Sequence, residues 1–202
     1  MKKTKLAIYD FDGTLYPNDT LVKFWKWSLR HRLKSWIMIP HAVFFLVIYC
    51  LGFSSKGYLK EKFMQFISVK NLQKDLTAFW KTTQPFSWVK SQFAKDRKKG
   101  WKIICISASP DFFLEYLAKK MNWDVLIATP TKKNHPLKLA GENCRGKEKI
   151  KYLNAWAKKN KINYSVEVMF SDRIVDKPLF DLAKKTFAVP ESGIFYEGLP
   201  KK

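Results

Sequence analysis

The sequence predicts an α/β fold, a doubly wound parallel sheet with an all-helical subdomain inserted after the first strand. Three observations predict it. Short apolar runs recur along the chain with helical patterns between them, the alternation that builds parallel sheets through right-handed crossovers. From Asp19 to about Lys98 only helical patterns occur. Each polar motif falls just after an apolar run, at the carboxyl end of an expected strand, where open sheets of this kind bind ligands. The expected division is a core of residues 1–15 and 91–202 and a helical cap of residues 16–90.

The elements follow in order. Lys5-Leu6-Ala7-Ile8-Tyr9 reads as a buried strand running into the loop Asp10-Phe11-Asp12-Gly13-Thr14. In the insert, Leu21, Phe24, Trp25 and Leu29 share one helical face, as do Leu59, Phe63, Phe66 and Ile67. Pro85 suits the first turn of the last helix before the second strand. That strand, Ile103-Ile104-Cys105-Ile106, ends at Ser107, and Ser109-Pro110-Asp111 reads as an N-cap, a proline at the first helical position and a first-turn acid. Val125 to Ala128 is a third strand, Lys149 to Lys158 a helix, Val166 to Phe170 a fourth strand ending at Ser171-Asp172, and Thr186 to Val189 a fifth.

Composition excludes several classes. With 47% hydrophobic and 27% charged residues, the 202-residue chain can build a core and is not disordered. Three cysteines, Cys50, Cys105 and Cys144, make no disulfide scaffold and point to a reducing, cytoplasmic setting. The basic first residues lead into an acidic motif rather than an apolar run, so no secretory leader is visible. The net charge of +21 calls for an anionic partner. It is spread rather than gathered in a tail: between Tyr16 and Lys90 there are 12 basic residues and 3 acidic ones. No zinc finger, basic zipper or RNA-recognition signature is present, so nucleic acid is not the expected partner. Most of the lysines read as solvated helix faces. No signature of an oligomeric state is visible.

Asp10 and Asp12 stand two apart on an extended segment, so both side chains leave on one side. Carboxylates held close repel unless a cation sits between them or one is protonated. Mg²⁺ suits the pair, because it takes hard oxygen ligands and keeps several waters, and Asp172 can supply another oxygen. Gly13 allows a tight turn and Thr14 adds a hydroxyl.

The string Asp10-Phe11-Asp12-Gly13-Thr14-Leu15 after an apolar strand resembles the first motif of the haloacid dehalogenase-like (HAD) phosphatases. Ile106-Ser107-Ala108-Ser109-Pro110 looks like their second motif, and Cys144-Arg145-Gly146-Lys147-Glu148-Lys149 like the C-x-G-x-x-K form of the third. Phe170 to Leu179 looks like the fourth, S-D-x-x-x-D-x-P-L. The resemblance implies a Rossmann-like HAD fold and a Mg²⁺-dependent phosphomonoester hydrolase. In it Asp10 would be the nucleophile that becomes an aspartyl-phosphate. Asp12 would be the general acid and base, its carbonyl also binding Mg²⁺. Ser107 and a lysine would hold the phosphoryl oxygens, Asp172 would bind metal, and Asp176 would orient the metal's surroundings. Lys149 completes the third motif and is preferred, with Lys147 as the alternative. Arg173 and Ile174 depart from the usual small polar residues; Arg173 reads more readily as a surface side chain than as a phosphate neighbour.

The position of the insert resembles the phosphoserine-phosphatase-like branch of the family. Asp19 could stand for that branch's acid, but no arginine lies between Arg32 and Arg97 to clasp an amino acid. From Ser35 to Ser55 there is no Asp, Glu, Lys or Arg. At ~1.5 Å per residue such a helix approaches the ~30 Å of a bilayer core. A complete crossing would separate Asp10 from Ser107, Lys149 and Asp172, so two readings stay open. The segment is either a buried cap helix or an interfacial anchor, with Pro40 at a bend, Gly52 at the end and Trp36, Phe44, Phe45, Tyr49 and Phe53 at the lipid boundary. This arrangement resembles the phosphatidylglycerophosphatase C type, which implies a lipid phosphate substrate at the inner face of an anionic membrane. The alternatives are a soluble metabolite phosphatase, a phosphotransferase to an alcohol, and a non-catalytic basic module binding membrane or nucleic acid.

Overall fold

A computed structural model describes residues 3–32, 36–37, 39–65, 67, 71–132 and 137–200. Phe66 and Ser35, named above, lie outside the described residues. The chain runs β1 (Thr4–Tyr9), α1 (Thr20–His31), α2 (Ile39–Cys50), α3 (Lys56–Met64), α4 (Leu72–Thr82), α5 (Val89–Lys98), β2 (Lys102–Pro110) and α6 (Asp111–Lys120). It continues through β3 (Val125–Thr129), the short pair β4 (Thr131–Lys132) and β5 (Lys138–Leu139), and α7 (Lys147–Lys159). After β6 (Tyr164–Ser171) come a 3₁₀ turn (Ile174–Asp176), α8 (Lys177–Phe180), β7 (Ala183–Ala188) and β8 (Tyr196–Glu197).

The main sheet has the order β3-β2-β1-β6-β7-β8. All its neighbours are parallel except β8, a two-residue edge strand antiparallel to β7 and too short to show in the sequence. The chain winds outward from β1 through β2 to β3, then crosses back to β6 on the other side. The carboxyl ends of β1 and β6 therefore flank the point where the winding reverses.

Alternate residues of β1 enter two separate cores, as period-2 packing requires for a sheet covered on both faces. Ala7 and Tyr9 join Phe93 of α5 and Phe113 and Leu117 of α6. Leu6 and Ile8 join Leu153 of α7 and Phe180 of α8. The first core continues into Phe24 of α1 and Leu76, Phe79 and Trp80 of α4, and the rings of Phe24, Phe79 and Trp80 pack against Phe113 of α6. Trp80 stacks at a tilt on Phe113, with ring centroids 4.8 Å apart, and its indole N–H donates to the Phe113 carbonyl at 3.2 Å.

The apolar segment behaves differently. In α2 only Ala42 is buried; Phe44 is 59% exposed and Phe53, just beyond the helix, 80%. The buried-helix reading of this stretch is not what the structure shows. α2 leans on α3 through Phe45, whose ring lies 6.0 Å from that of Tyr58, with the Lys62 ammonium over both rings. Pro40 sits in the first turn of α2 rather than at a bend, where its missing N–H costs nothing. Gly52, at φ +80°, ends the segment as expected. Among the described residues no helix is long and apolar enough to cross a membrane.

Two local expectations are corrected. Pro85 lies in the loop ahead of α5, which starts at Val89, because the Phe86 N–H is held by the Leu15 carbonyl at 3.0 Å. Ser109 is not the N-cap of α6; Pro110 takes that place in extended conformation, because the Ser109 hydroxyl is used elsewhere.

Candidate active site

The strand ends gather the polar motifs into one cavity of about 60 Å³, whose walls include Asp10, Asp12, Ser107, Lys149 and Asp176. At its floor the Lys149 ammonium donates to Asp10 Oδ1 at 2.8 Å and to Asp176 Oδ2 at 2.7 Å. The side chain of Lys149 is 2% exposed, since it reaches inward from the first turn of α7. Lys147, the alternative, is the exposed first residue of that helix. The geometry brings Lys149 to the carboxylates and leaves Lys147 outside.

Asp176 is fixed from a second side by the Ser171 hydroxyl, which donates to the same Oδ2 at 2.7 Å. Among the described residues its other oxygen, Oδ1, is buried without a hydrogen-bond partner.

The first loop is built to meet the end of β6. Gly13 has φ +75°, and a Cβ placed there would stand 2.3 Å from Asp172 Oδ2, so any side chain would push that carboxylate away. The Thr14 hydroxyl accepts the Asp172 N–H at 3.0 Å and faces Asp172 Oδ1 at 3.4 Å. Arg173 both lines the cavity and donates through Nε to Asp172 Oδ2 at 3.2 Å, which makes it more than the surface residue expected.

Asp12 is held by the start of α1. Its Oδ1 accepts from the Thr20 N–H at 2.8 Å and the Thr20 hydroxyl at 2.7 Å, and the positive end of the helix favours its charge. Its Oδ2 accepts from the Ser109 hydroxyl at 2.6 Å. Ser107, almost fully buried, accepts the Ser109 N–H at 2.9 Å and lines the cavity.

Sequence reasoning missed Thr20, Ser109, Lys60, Asn143 and Arg145. The Lys60 ammonium of α3 donates to the Ala108 carbonyl and, at 2.8 Å, to Asn143 Oδ1, tying the insert to the carboxyl end of β2 and to the segment before α7. Arg145 lines the cavity. Ser109 and Arg145 carried a visible signal, as members of the second and third motifs.

Burial dominates the electrostatics of the site. Burial pushes the Asp10 carboxyl up to about 7, with the Asp176 and Asp172 carboxylates adding and Lys149 opposing. Burial likewise raises Asp12, with Asp19 adding and the Ser109 and Thr20 hydrogen bonds opposing. Asp172 is raised by burial against the pull of Arg173. Lys149, between two carboxylates, holds its proton above the ordinary lysine range despite its burial. Among the described residues no three His, Cys, Asp or Glu side chains converge as a metal cage.

Fold and site together define an α/β protein of the doubly wound class whose polar motif residues gather where the winding reverses. Residues 7–181 match the haloacid dehalogenase-like hydrolases, and the chain belongs to that family. It is 29% identical over 156 residues to Protein CicA of Caulobacter vibrioides, which covers 72% of this chain and 69% of that protein. Among solved structures it resembles a protein of unknown function from Bordetella pertussis Tohama I, with a TM-score of 0.78, 16% identity, and 93% and 90% of the two chains covered. It also resembles a phospho-aspartyl intermediate analogue of phosphoserine phosphatase, with a TM-score of 0.63, 19% identity, and 93% and 87% covered. These likenesses show a common fold.

Proposed function

We propose that the protein is a Mg²⁺-dependent phosphomonoesterase that works through an aspartyl-phosphate on Asp10, on esters presented at an anionic membrane surface. The observation that carries the chemistry is Lys149 bridging Asp10 and Asp176 beneath a cavity open to Ser107 and Asp12. Asp10 Oδ1 is occupied by Lys149, which leaves Oδ2 to attack phosphorus while Lys149 offsets the charge that develops. The leaving oxygen takes a proton from Asp12. Thr20 N–H can only donate to Oδ1, so that proton sits on Oδ2, facing a Ser109 hydroxyl that can donate or accept. In the second step Asp12 recovers a proton from the water that attacks the aspartyl-phosphate, and phosphate leaves with Asp10 restored. Mg²⁺, held by Asp10, the Asp12 carbonyl and Asp172, would supply charge neutralisation at the phosphoryl oxygens. Ser107 would donate to one of those oxygens. We take residues 16–90 as the cap over this site. The phosphoserine phosphatase likeness supports the reading.

The test is phosphate release from a panel of lipid phosphates, phosphoserine, nucleotides and sugar phosphates, with Mg²⁺ and with chelator. Activity should require the metal, and Asp172→Ala should raise the Mg²⁺ needed for half-maximal rate about tenfold or more. Turnover in excess chelator, unchanged by Asp172→Ala, would remove the metal from the account.

The membrane part rests on the exposed face of α2 within a strongly basic chain. The protein should sediment with anionic vesicles and much less with neutral ones. Each lysine or arginine near the surface contributes roughly 1 kcal/mol, and that part is screened by salt. Apolar insertion is not. Phe44→Ser with Val47→Ser should therefore abolish the salt-resistant fraction. A wild type that releases vesicles entirely at high salt would count against insertion and return the substrate to soluble esters.

A further inference from the structure

We infer that the apolar cleft between α1, α2 and α3 is a second part of the active centre, which receives an alkyl chain carried by the phosphomonoester. The inference deepens the phosphatase reading and rests on it for the chemistry at the head of the substrate. The cleft encloses about 210 Å³, and its walls include Val22 and Trp25 of α1, Leu46 of α2, and Leu59 and Phe63 of α3. That is more than ten times the roughly 15 Å³ a single water needs, and walls so poor in polar partners hold water weakly. An apolar group entering it gains what the water does not lose.

Its position sets the occupant. Asp19, Leu21 and Lys60 line both this cleft and the cavity of the catalytic carboxylates. The Lys60 ammonium is turned toward the core, onto the Ala108 carbonyl and Asn143, so its aliphatic stem remains to border the cleft. The inner cavity, of about 60 Å³, suits a phosphoryl group and little more, and beside its four carboxylates it is lined by Lys60, Arg145, Lys149 and Arg173, which can meet a phosphate. A small polar chamber that offers cations to a phosphate, joined to an apolar one, matches an amphiphile with a phosphate head and a hydrocarbon tail. Leu46 carries the cleft to α2, the helix whose outer face is exposed apolar surface. A tail could thus pass from a bilayer along α2 to the cleft.

The test uses the Mg²⁺-loaded protein and a series of n-alkyl phosphates from ethyl to decyl, below their micelle concentrations. Binding of the matching n-alkylphosphonates, measured by calorimetry, gives a readout that needs no turnover. Both kcat/KM and phosphonate affinity should rise about threefold to fourfold per methylene until the cleft is full, then level off. Ser28, which also lines the cleft, gives a filling variant, and the readout is the slope across the series rather than the absolute rate. Ser28→Phe should flatten it; Leu59→Phe does the same from α3 should the first variant fail to fold. A wild-type series flat from ethyl to decyl overturns the inference, as does a slope that survives both filling variants. Phosphonate affinity that climbs with chain length, without hydrolysis of any ester, upholds the cleft and overturns the phosphatase reading.

Discussion

Asp10→Asn is expected to slow phosphate release by on the order of ten-thousandfold or more, the scale of loss when a covalent nucleophile is removed. The amide keeps the shape of the carboxyl and can still accept from Lys149, so the fold should persist. Stability should change in a pH-dependent sense. In the folded wild type the Asp10 carboxyl is raised to about 7, against 3.8 as the ordinary value. Below the lower value both states hold the proton and the variant gains nothing. Between the two values the unfolded chain ionises first, so wild-type stability falls as pH rises, and above about 7 the penalty is complete. Metal-free Asp10→Asn should therefore melt higher than metal-free wild type at pH 8, by an amount that shrinks to nothing near pH 4. Mg²⁺ should narrow the gap by stabilising only the wild type. Near-wild-type turnover by the asparagine variant would sink the aspartyl-phosphate mechanism.

Lys149→Met should damage both activity and fold. Methionine fills a similar volume but leaves Asp10 and Asp176 facing each other in a buried site without their shared cation. Removing one partner of a buried ion pair costs about 3–5 kcal/mol, and loss of a positive charge at the developing phosphoryl charge costs about 10²–10³ in rate. Adding Asp176→Asn should restore much of the melting temperature without restoring turnover, which separates the structural from the chemical role. Lys147→Met, at the exposed start of α7, should leave both almost unchanged. Equal losses at the two lysines would mean that Lys149 is not special.

The parts of this site that were legible in the sequence are those whose chemistry needs a fixed residue at a strand end. Asp10, Asp12, Ser107 and Asp172 each follow an apolar run, and their convergence follows from parallel winding alone. Lys149 rather than Lys147 could be preferred because only one of them turns inward from the first turn of the helix. What stayed hidden were the residues that hold those groups. Thr20 looks like any residue at a helix start, yet its N–H and hydroxyl fix Asp12. Ser109 sat before Pro110-Asp111, a pattern that reads as a cap, and tertiary contact with Asp12 outweighed it. Lys60 read as one solvated lysine of many, because nothing local tells a helix lysine that it will meet Ala108 across 48 residues. The exposure of α2 was likewise unreadable: its residues are apolar on every side, so no face announces which side is covered.

The place of β1 in the sheet governs when the protein can become itself. The central strand β1 precedes both of its neighbours in the chain, and neither is adjacent to it in sequence. β2 follows only after the helical insert, and β6 begins at Tyr164. During synthesis the apolar edge of β1 must wait, through most of translation, for partners still unmade. Closing such distant pairings is slow, and an unpaired central strand is an invitation to aggregation. The same delay withholds chemistry, since Asp10 meets Lys149 across 139 residues. Asp10, the nucleophile proposed above, therefore stands without its site until the chain has been made through Lys149 and Asp176.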